Sequence, residues 1–422
     1  MKASEVLKRL SSGEMIPLLR EIYSENIDDQ VLRYKEAIQS FMDYYGDQDI
    51  MIFSVPGKCE IGGNHTDHQQ GRVLASAIQL DSIGIVGKQD RYVKVIYNEL
   101  NINEIDTENI KYNEAKKGTM ESLINGVLFG LNQKNYHIGG FNAYIQCDIP
   151  RNVGLGSSAN FNIMIGTIIN YLYNEGKIEN KYLVQIGRFA TNIFYCKPSG
   201  LMNECVCCVG GFIKVDFRDP NSPDIYKLNT DFSNFDYTLC CVNSNVCRSD
   251  NTIDYYAIPK EMIKVANFFK KDVLRDVSYD EFMKNYRIVR ARVGDRPALR
   301  ALHFFKEEDR VLKQTEALEK GDFDTFLKLV RESGDSTFKA LQNIYPQEST
   351  RHQNIGTAIV LSENFLGEDG VVKVNGGGFS STMIAFVKTS VIDDYASYMD
   401  SIFGKGSCYI IHTREQGAIR LL

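Results

Sequence analysis

The residues best suited to chemistry lie in Pro150–Ala159, which reads P-R-N-V-G-L-G-S-S-A. The alternating apolar run Phe141–Ile149 before it predicts a strand. After it, Phe161, Ile165, Ile168, Ile169 and Leu172 recur at helical spacing and predict a helix over Asn160–Leu172. Gly154, Gly156, Ser157 and Ser158 thus form a loop that opens a helix. Such a loop aims backbone N–H groups and the positive helix end at one point, where an anion can sit. A serine hydroxyl there can ligate the Mg²⁺ that accompanies a phosphate. A plain Gly-Ser helix start, capped by serine, has the same local pattern.

Two more stretches fit the same chemistry. Met51–Val55 reads as a short buried strand running into Pro56-Gly-Lys-Cys-Glu-Ile-Gly-Gly-Asn-His-Thr-Asp-His68. Lys58, Glu60, Asn64, His65, Asp67 and His68 crowd donors and acceptors together, as a hydroxyl-rich ligand requires. A metal held by His65, Asp67 and His68, or a polar turn with no ligand, are the alternatives. Val371–Thr382 carries Gly376-Gly-Gly378 between two apolar runs. Three glycines cost backbone entropy, which close packing against a ligand or the phosphate loop would justify, although a tight hairpin would also use them.

The elements that must position these stretches follow from periodicity. Helices are expected in residues 1–48, at Thr119–Leu131, Tyr182–Cys196, Lys260–Phe269, Pro297–Lys320, Asp324–Leu341 and Ile392–Phe403. Strands are expected at Val73–Gly87, Tyr92–Tyr97, Phe212–Phe217, Tyr237–Val242, Met383–Val387 and Cys408–Thr413. A composition shift at Asp216–Pro223 suggests domains of residues 1–217 and 218–422. The chain's 422 residues suffice for two cores, and a net charge of −6 argues against nucleic acid or an anionic membrane as partner. No apolar run reaches membrane-spanning length, and the start lacks a signal-peptide core. The 10 Cys lack paired C-x-x-C spacing, so reduced thiols in a cytoplasmic protein are expected.

The three motifs, in this order, resemble those of the GHMP small-molecule kinases and, within them, the galactokinases. Pro56–His68 is similar to the family's P-G-R-x-N-x-I-G-E-H-x-D-Y, Pro150–Ala159 to P-x-G-x-G-L-S-S-S-A, and Gly376–Ser381 to its G-G-G-F-G-G-like turn. Gly200-Leu-Met-Asn-Glu204 resembles G-I-M-D-Q, and Asn243-Ser-Asn-Val246 resembles N-S-N-V. The resemblance implies an α/β fold of two domains with the active site between them, ATP and Mg²⁺ as cofactors, and transfer of the γ-phosphate to the C1 hydroxyl of galactose. It places Gly154, Leu155, Gly156, Ser157 and Ser158 at the nucleotide, with Ser158 on the metal. Asn64, His65, Asp67 and Tyr255 fall at the sugar.

The departures are concentrated where catalysis occurs. The family's transition-state arginine falls on Lys58, its catalytic aspartate on Asn203 and its metal-binding glutamate on Thr191. Lys58 keeps the charge but loses the planar fork. Asn203 cannot take a proton at neutral pH. Thr191 can ligate Mg²⁺ only weakly through its hydroxyl or a water. Glu204 is adjacent to Asn203, yet on a helix it points about 100° away; Asp216 could substitute only if the fold brings it close. Two readings follow: a slowed sugar 1-kinase, or a non-catalytic sugar- and nucleotide-binding sensor.

Overall fold

The computed structural model describes residues 1–150, 153–197, 199–230, 232–245, 252–347, 350–379 and 382–422. Helices α1 (Ala3–Ser11), α2 (Ile16–Arg20) and α3 (Ile27–Tyr45) lead into two long strands, β1 (Ile50–Gly62) and β2 (Arg72–Lys88). Next come β3 (Tyr92–Tyr97), β4 (Leu100–Asp106), α4 (Met120–Gln133), β5 (Phe141–Cys147), α5 (Ser157–Tyr173), α6 (Asn180–Phe189), α7 (Met202–Val209), β6 (Phe212–Asp216) and β7 (Asp224–Lys227). The remainder is β8 (Tyr237–Asn243), α8 (Thr252–Phe268), α9 (Tyr279–Lys284), α10 (Tyr286–Val293), α11 (Asp295–Glu319), α12 (Phe323–Ser336), α13 (Asn354–Leu366), β9 (Gly370–Val374), β10 (Thr382–Lys388), α14 (Ile392–Phe403), β11 (Cys408–Ile411) and β12 (Ile419–Arg420). This is the mixed α/β architecture expected from the sequence.

β1 is buried along nearly its whole length because both of its faces are covered. Ile50 and Ile52 join Ile83 and Ile85 of β2 in a core shared with α1–α3, while Phe53 and Val55 face the core beneath α4–α7. The sheet they belong to has eight strands on the path β12-β1-β2-β5-β3-β4, with β6 on β2 and β7 on β6. The composition shift at residues 216–223 lies in the turn between β6 and β7, within this sheet. A second, antiparallel sheet runs β11-β8-β10-β9 and is covered by α13 and α14 on one face. Buried Asp81 joins the two ends of the chain, pairing with Arg33 of α3 at 2.7 Å and with Arg414 near the C-terminus at 3.0 Å.

Several expected boundaries shift. β1 does not end at Val55 but runs through the first motif to Gly62, with register irregularities at Pro56/Gly57 and Glu60/Gly62. Such bulges re-aim side chains, and these two bracket Lys58. The helix expected over Tyr182–Cys196 is α6 followed by a π-turn at Ala190–Phe194, and α12 likewise ends in a π-turn at Thr337–Leu341. β4, β7, β12, α9, α10, α13 and the first turns of α8 were not foreseen. Among the described residues no helix is long and apolar enough to cross a membrane, and the described cysteines are all unbridged.

Candidate functional site

Gly156 decides the local shape of the phosphate loop. Its φ of 88° lies in the left-handed region, and it serves as the N-cap of α5. The helix therefore starts at Ser157, earlier than the Asn160 start expected, and Ser157 and Ser158 occupy its first turn rather than a preceding loop. No side chain caps this end, so first-turn N–H groups remain available to an anion. Any Cβ at position 156 would meet Lys58 Cγ at 2.8 Å, so the glycine also admits the lysine stem.

Two links fasten this loop to the first motif. Lys58 N–H donates to the Leu155 carbonyl at 2.9 Å. Asn160 donates through Nδ2 to the carbonyls of Val55 (2.5 Å) and Pro56 (3.1 Å), and its Oδ1 accepts from the Ser82 hydroxyl. Lys58 is 3% exposed, and among the described residues its ammonium has no ion pair or hydrogen bond. A buried cation without a counter-ion is costly unless an anion arrives.

Next to this loop, Thr191 is buried in the π-turn. Its hydroxyl accepts from Asn162 Nδ2 at 2.7 Å and lies 3.2 Å from the Gly187 carbonyl, to which it donates. Asn203 on α7 has a buried Oδ1 without a partner, and so does its neighbour Glu204 at Oε2. Burial pushes the Glu204 carboxyl up to about 8, against the pull of Arg188, Lys197 and Lys58. Asp216 is occupied elsewhere, pairing with Arg72 at 2.7 Å and Arg275 at 2.9 Å.

The expected sugar residues gather in the turn after β1. Asn64 is fully buried, donates to Glu60 Oε1 at 2.6 Å and to the Gly376 carbonyl, and accepts from Asn343 Nδ2 at 2.8 Å. His65 donates from Nε2 to the Gly377 carbonyl at 2.8 Å, which leaves Nδ1 to accept from His68 Nε2 at 3.2 Å. Burial, and then each other's charge in the case of His65, holds both imidazoles down to about 4, so both are neutral at pH 7. Asp67 lies directly against Gly200; a Cβ at 200 would overlap its Oδ2. Tyr255 on α8 packs its ring 5.5 Å from that of His65 and against Gly377.

The third motif closes the group as expected of a glycine turn under close packing. Besides Gly376 and Gly377, Asn375 reaches the Val153 carbonyl of the phosphate loop at 3.4 Å. Ser380 and Ser381 of this motif, Arg151 and Asn152 of the second, and Val246 of the N-S-N-V echo lie outside the described residues. Buried Glu307 of α11 braces the whole, accepting from Gly63 N–H at 3.0 Å and Ser333 Oγ at 2.6 Å while pairing with Arg310. Lys58, Asn64, His65 and Tyr255 thus link the first motif to the phosphate loop, the third motif and α8.

The sequence of residues 39–88 matches the galactokinase galactose-binding signature, and residues 122–211 match the GHMP kinases N-terminal domain. The chain is similar to galactokinases over most of its length. A galactokinase from Clostridium tetani is 26% identical over 378 residues, which is 89% of this chain and 93% of that one. One from Streptococcus suis is 27% identical over 369 residues, 85% and 90% of the two chains. The Lactococcus lactis galactokinase structure, solved with galactose, superposes with a TM-score of 0.76 at 20% identity over 90% of this chain and 98% of that one. The Methanococcus jannaschii mevalonate kinase shares the fold at a TM-score of 0.61 and 17% identity, covering 86% and 98%.

Sequence reasoning did not single out Asn162 or the His65–His68 bond, and it set Glu204 aside. One signal existed: α5 is mostly apolar beyond its first turn, and Asn160 and Asn162 are both buried among its apolar residues. Buried amides need partners, so such a helix marks a polar seam. The donor set at the loop fits the phosphates of ATP. For Mg²⁺ the fit is partial, since the first turn of α5 carries the Ser158 hydroxyl but the Thr191 hydroxyl is already committed to Asn162 and Gly187.

Proposed function

We propose that this chain is an ATP-dependent sugar kinase of galactokinase type, transferring the γ-phosphoryl group of ATP to the C1 hydroxyl of galactose or a related sugar, at a reduced rate. The observation that carries this reading is Lys58, a buried cation with no ion pair among the described residues, lying along Gly156 at the open N-terminus of α5. In this role Gly154, Leu155, Gly156, Ser157 and Ser158 cradle the phosphates, and Lys58 neutralises charge on the transferring group. Bound Mg²⁺ would add charge neutralisation between the phosphates, with Ser158 as a ligand and Thr191 as a weak one. Asp67, held beside Gly200, orients the sugar with Tyr255, while Asn64 and His65 mainly hold the turn in shape.

The reduced rate follows from the substitutions. Asn203 stands where the family's aspartate meets the acceptor hydroxyl, and losing a general base costs on the order of 10²–10⁴ in rate. Phosphoryl transfer depends largely on positioning and charge neutralisation, so turnover survives in part. The uncommitted Oδ1 of Asn203 and the committed Thr191 hydroxyl also favour a second reading, a sensor that binds sugar and nucleotide without turnover. The test is ADP release with Mg²⁺-ATP across galactose, N-acetylgalactosamine, glucose, arabinose and mannose. Slow turnover of one sugar, lost in Asp67→Ala, is expected. Binding by calorimetry with no ADP release would instead establish the sensor.

A further inference from the structure

The helices behind the phosphate loop leave one acidic group unexplained. Ser158 and Asn162 are one turn apart on α5 and so share a face. From that face Asn162 Nδ2 reaches α6, donating to the Gly187 carbonyl at 3.0 Å and to Thr191 Oγ1 at 2.7 Å. Gly187 and Thr191 are likewise one turn apart. Glu204 of α7 enters the same corner through the notch at Gly187, where a Cβ would lie 3.1 Å from Glu204 Cγ and 3.4 Å from Asn162 Cβ. There Glu204, 1% exposed, keeps Oε2 without a partner, and Asn162 keeps Oδ1 without one.

A carboxylate retained only for packing would have acquired donors, because buried carboxylate oxygens are almost always hydrogen-bonded. The Glu204 carboxylate, the Asn162 amide oxygen and the Thr191 hydroxyl share this corner one turn from Ser158, and together they offer hard oxygen donors of the kind that divalent cations such as Mg²⁺ prefer. We propose that Glu204 supplies the acidic ligand for the nucleotide-bound divalent cation that Thr191 cannot, so that the carboxylate has moved from the π-turn after α6 to α7. This rests on the kinase reading. It assigns Glu204 to the metal and not to proton removal at the sugar, because its side chain packs at Gly187 beside Asn162.

The test is a Mn²⁺ titration of the full chain with a non-hydrolysable ATP analogue, reading free Mn²⁺ by electron paramagnetic resonance. Glu204→Gln should weaken Mn²⁺ binding by about 10-fold or more, the range seen when groups that support a metal are lost. Glu204→Asp should retain part of it, and adding Thr191→Glu to Glu204→Gln should restore it by returning a carboxylate to the π-turn after α6. Wild-type Mn²⁺ affinity in Glu204→Gln overturns the assignment, and so does a loss that neither Glu204→Asp nor Thr191→Glu repairs. Sugar turnover with Mn²⁺ affinity indifferent to Glu204 would remove this assignment and leave the kinase reading standing. Mn²⁺ binding that depends on Glu204 without turnover of any sugar would uphold the assignment and end the kinase reading.

Discussion

At the phosphate end of the site, Asn203 and Glu204 hold buried oxygens that no described residue satisfies and the buried Lys58 has no ion pair among the described residues, whereas at the sugar end Asn64 and His65 are bonded on both sides of their side chains. Both ends are built from family motifs, yet they treat polar groups oppositely. A bonded amide such as Asn64 stabilises the turn and ties it to the third motif, 312 residues away. An unbonded group such as Lys58 costs stability and remains only where a ligand compensates it. The contrast separates residues that shape the site from residues that await a partner.

The largest effect should come from Asn203→Asp, which returns a proton acceptor beside the acceptor hydroxyl. Sugar-dependent ADP release should rise about 10²-fold; an unchanged rate would mean that positioning, not proton removal, limits turnover. Gly200→Ala should follow closely. Its methyl group overlaps Asp67 Oδ2 and displaces that carboxylate, so kcat/KM for the sugar should fall about 10²-fold while nucleotide affinity is kept.

The two ends should then respond in opposite directions to loss of a polar group. Asn64→Ala strands Glu60, Asn343 and a carbonyl in the interior and should cost about 2 kcal/mol in chemical unfolding. Lys58→Met removes an unpaired charge, so the free protein should gain on the order of 1 kcal/mol while ATP no longer raises its melting temperature. If both variants lose stability alike, the distinction between the ends fails.

The smallest effect concerns pH. His65 and His68 are held down to about 4 in the folded chain against an ordinary 6.5, so unfolding takes up protons between those values. Their stabilisation is therefore complete well above pH 6.5 and falls as pH drops toward 4, by about 2 kcal/mol for each imidazole at pH 5. Melting curves from pH 7.5 to 5 should show the decline, and His68→Gln should flatten it. Glu204 has the opposite sign: its raised carboxyl destabilises the fold as pH climbs from 4.5 toward 8, so Glu204→Gln should stabilise most at the alkaline end.

Periodicity carried much of the fold. Ile392–Phe403 is a helix with the expected bounds, and β2, β3, β5 and β8 fall within a few residues of their apolar runs. The first motif looked like a loop because its glycines and charges obscure a strand, and two bulges rather than a turn accommodate them. The early start of α5 depended on Gly156 adopting a positive φ, which sequence permits but does not require. β4 buries only Ile102 and Ile105, three residues apart among mostly exposed ones, and gave no alternating signal. Which motifs come together was legible from their order. Which polar atoms are left unbonded was not, because Asn64 finds its partners at Asn343 and Gly376, and Glu204 fails to find one, only in three dimensions.

The central claim is phosphoryl transfer to a sugar, and phosphorus NMR of the wild-type chain with Mg²⁺-ATP and galactose or another of the five sugars tests it most directly. The account predicts an anomeric sugar phosphate signal growing in step with ADP. ATP that stays intact with every sugar, or ADP that forms with free phosphate alone, would contradict it.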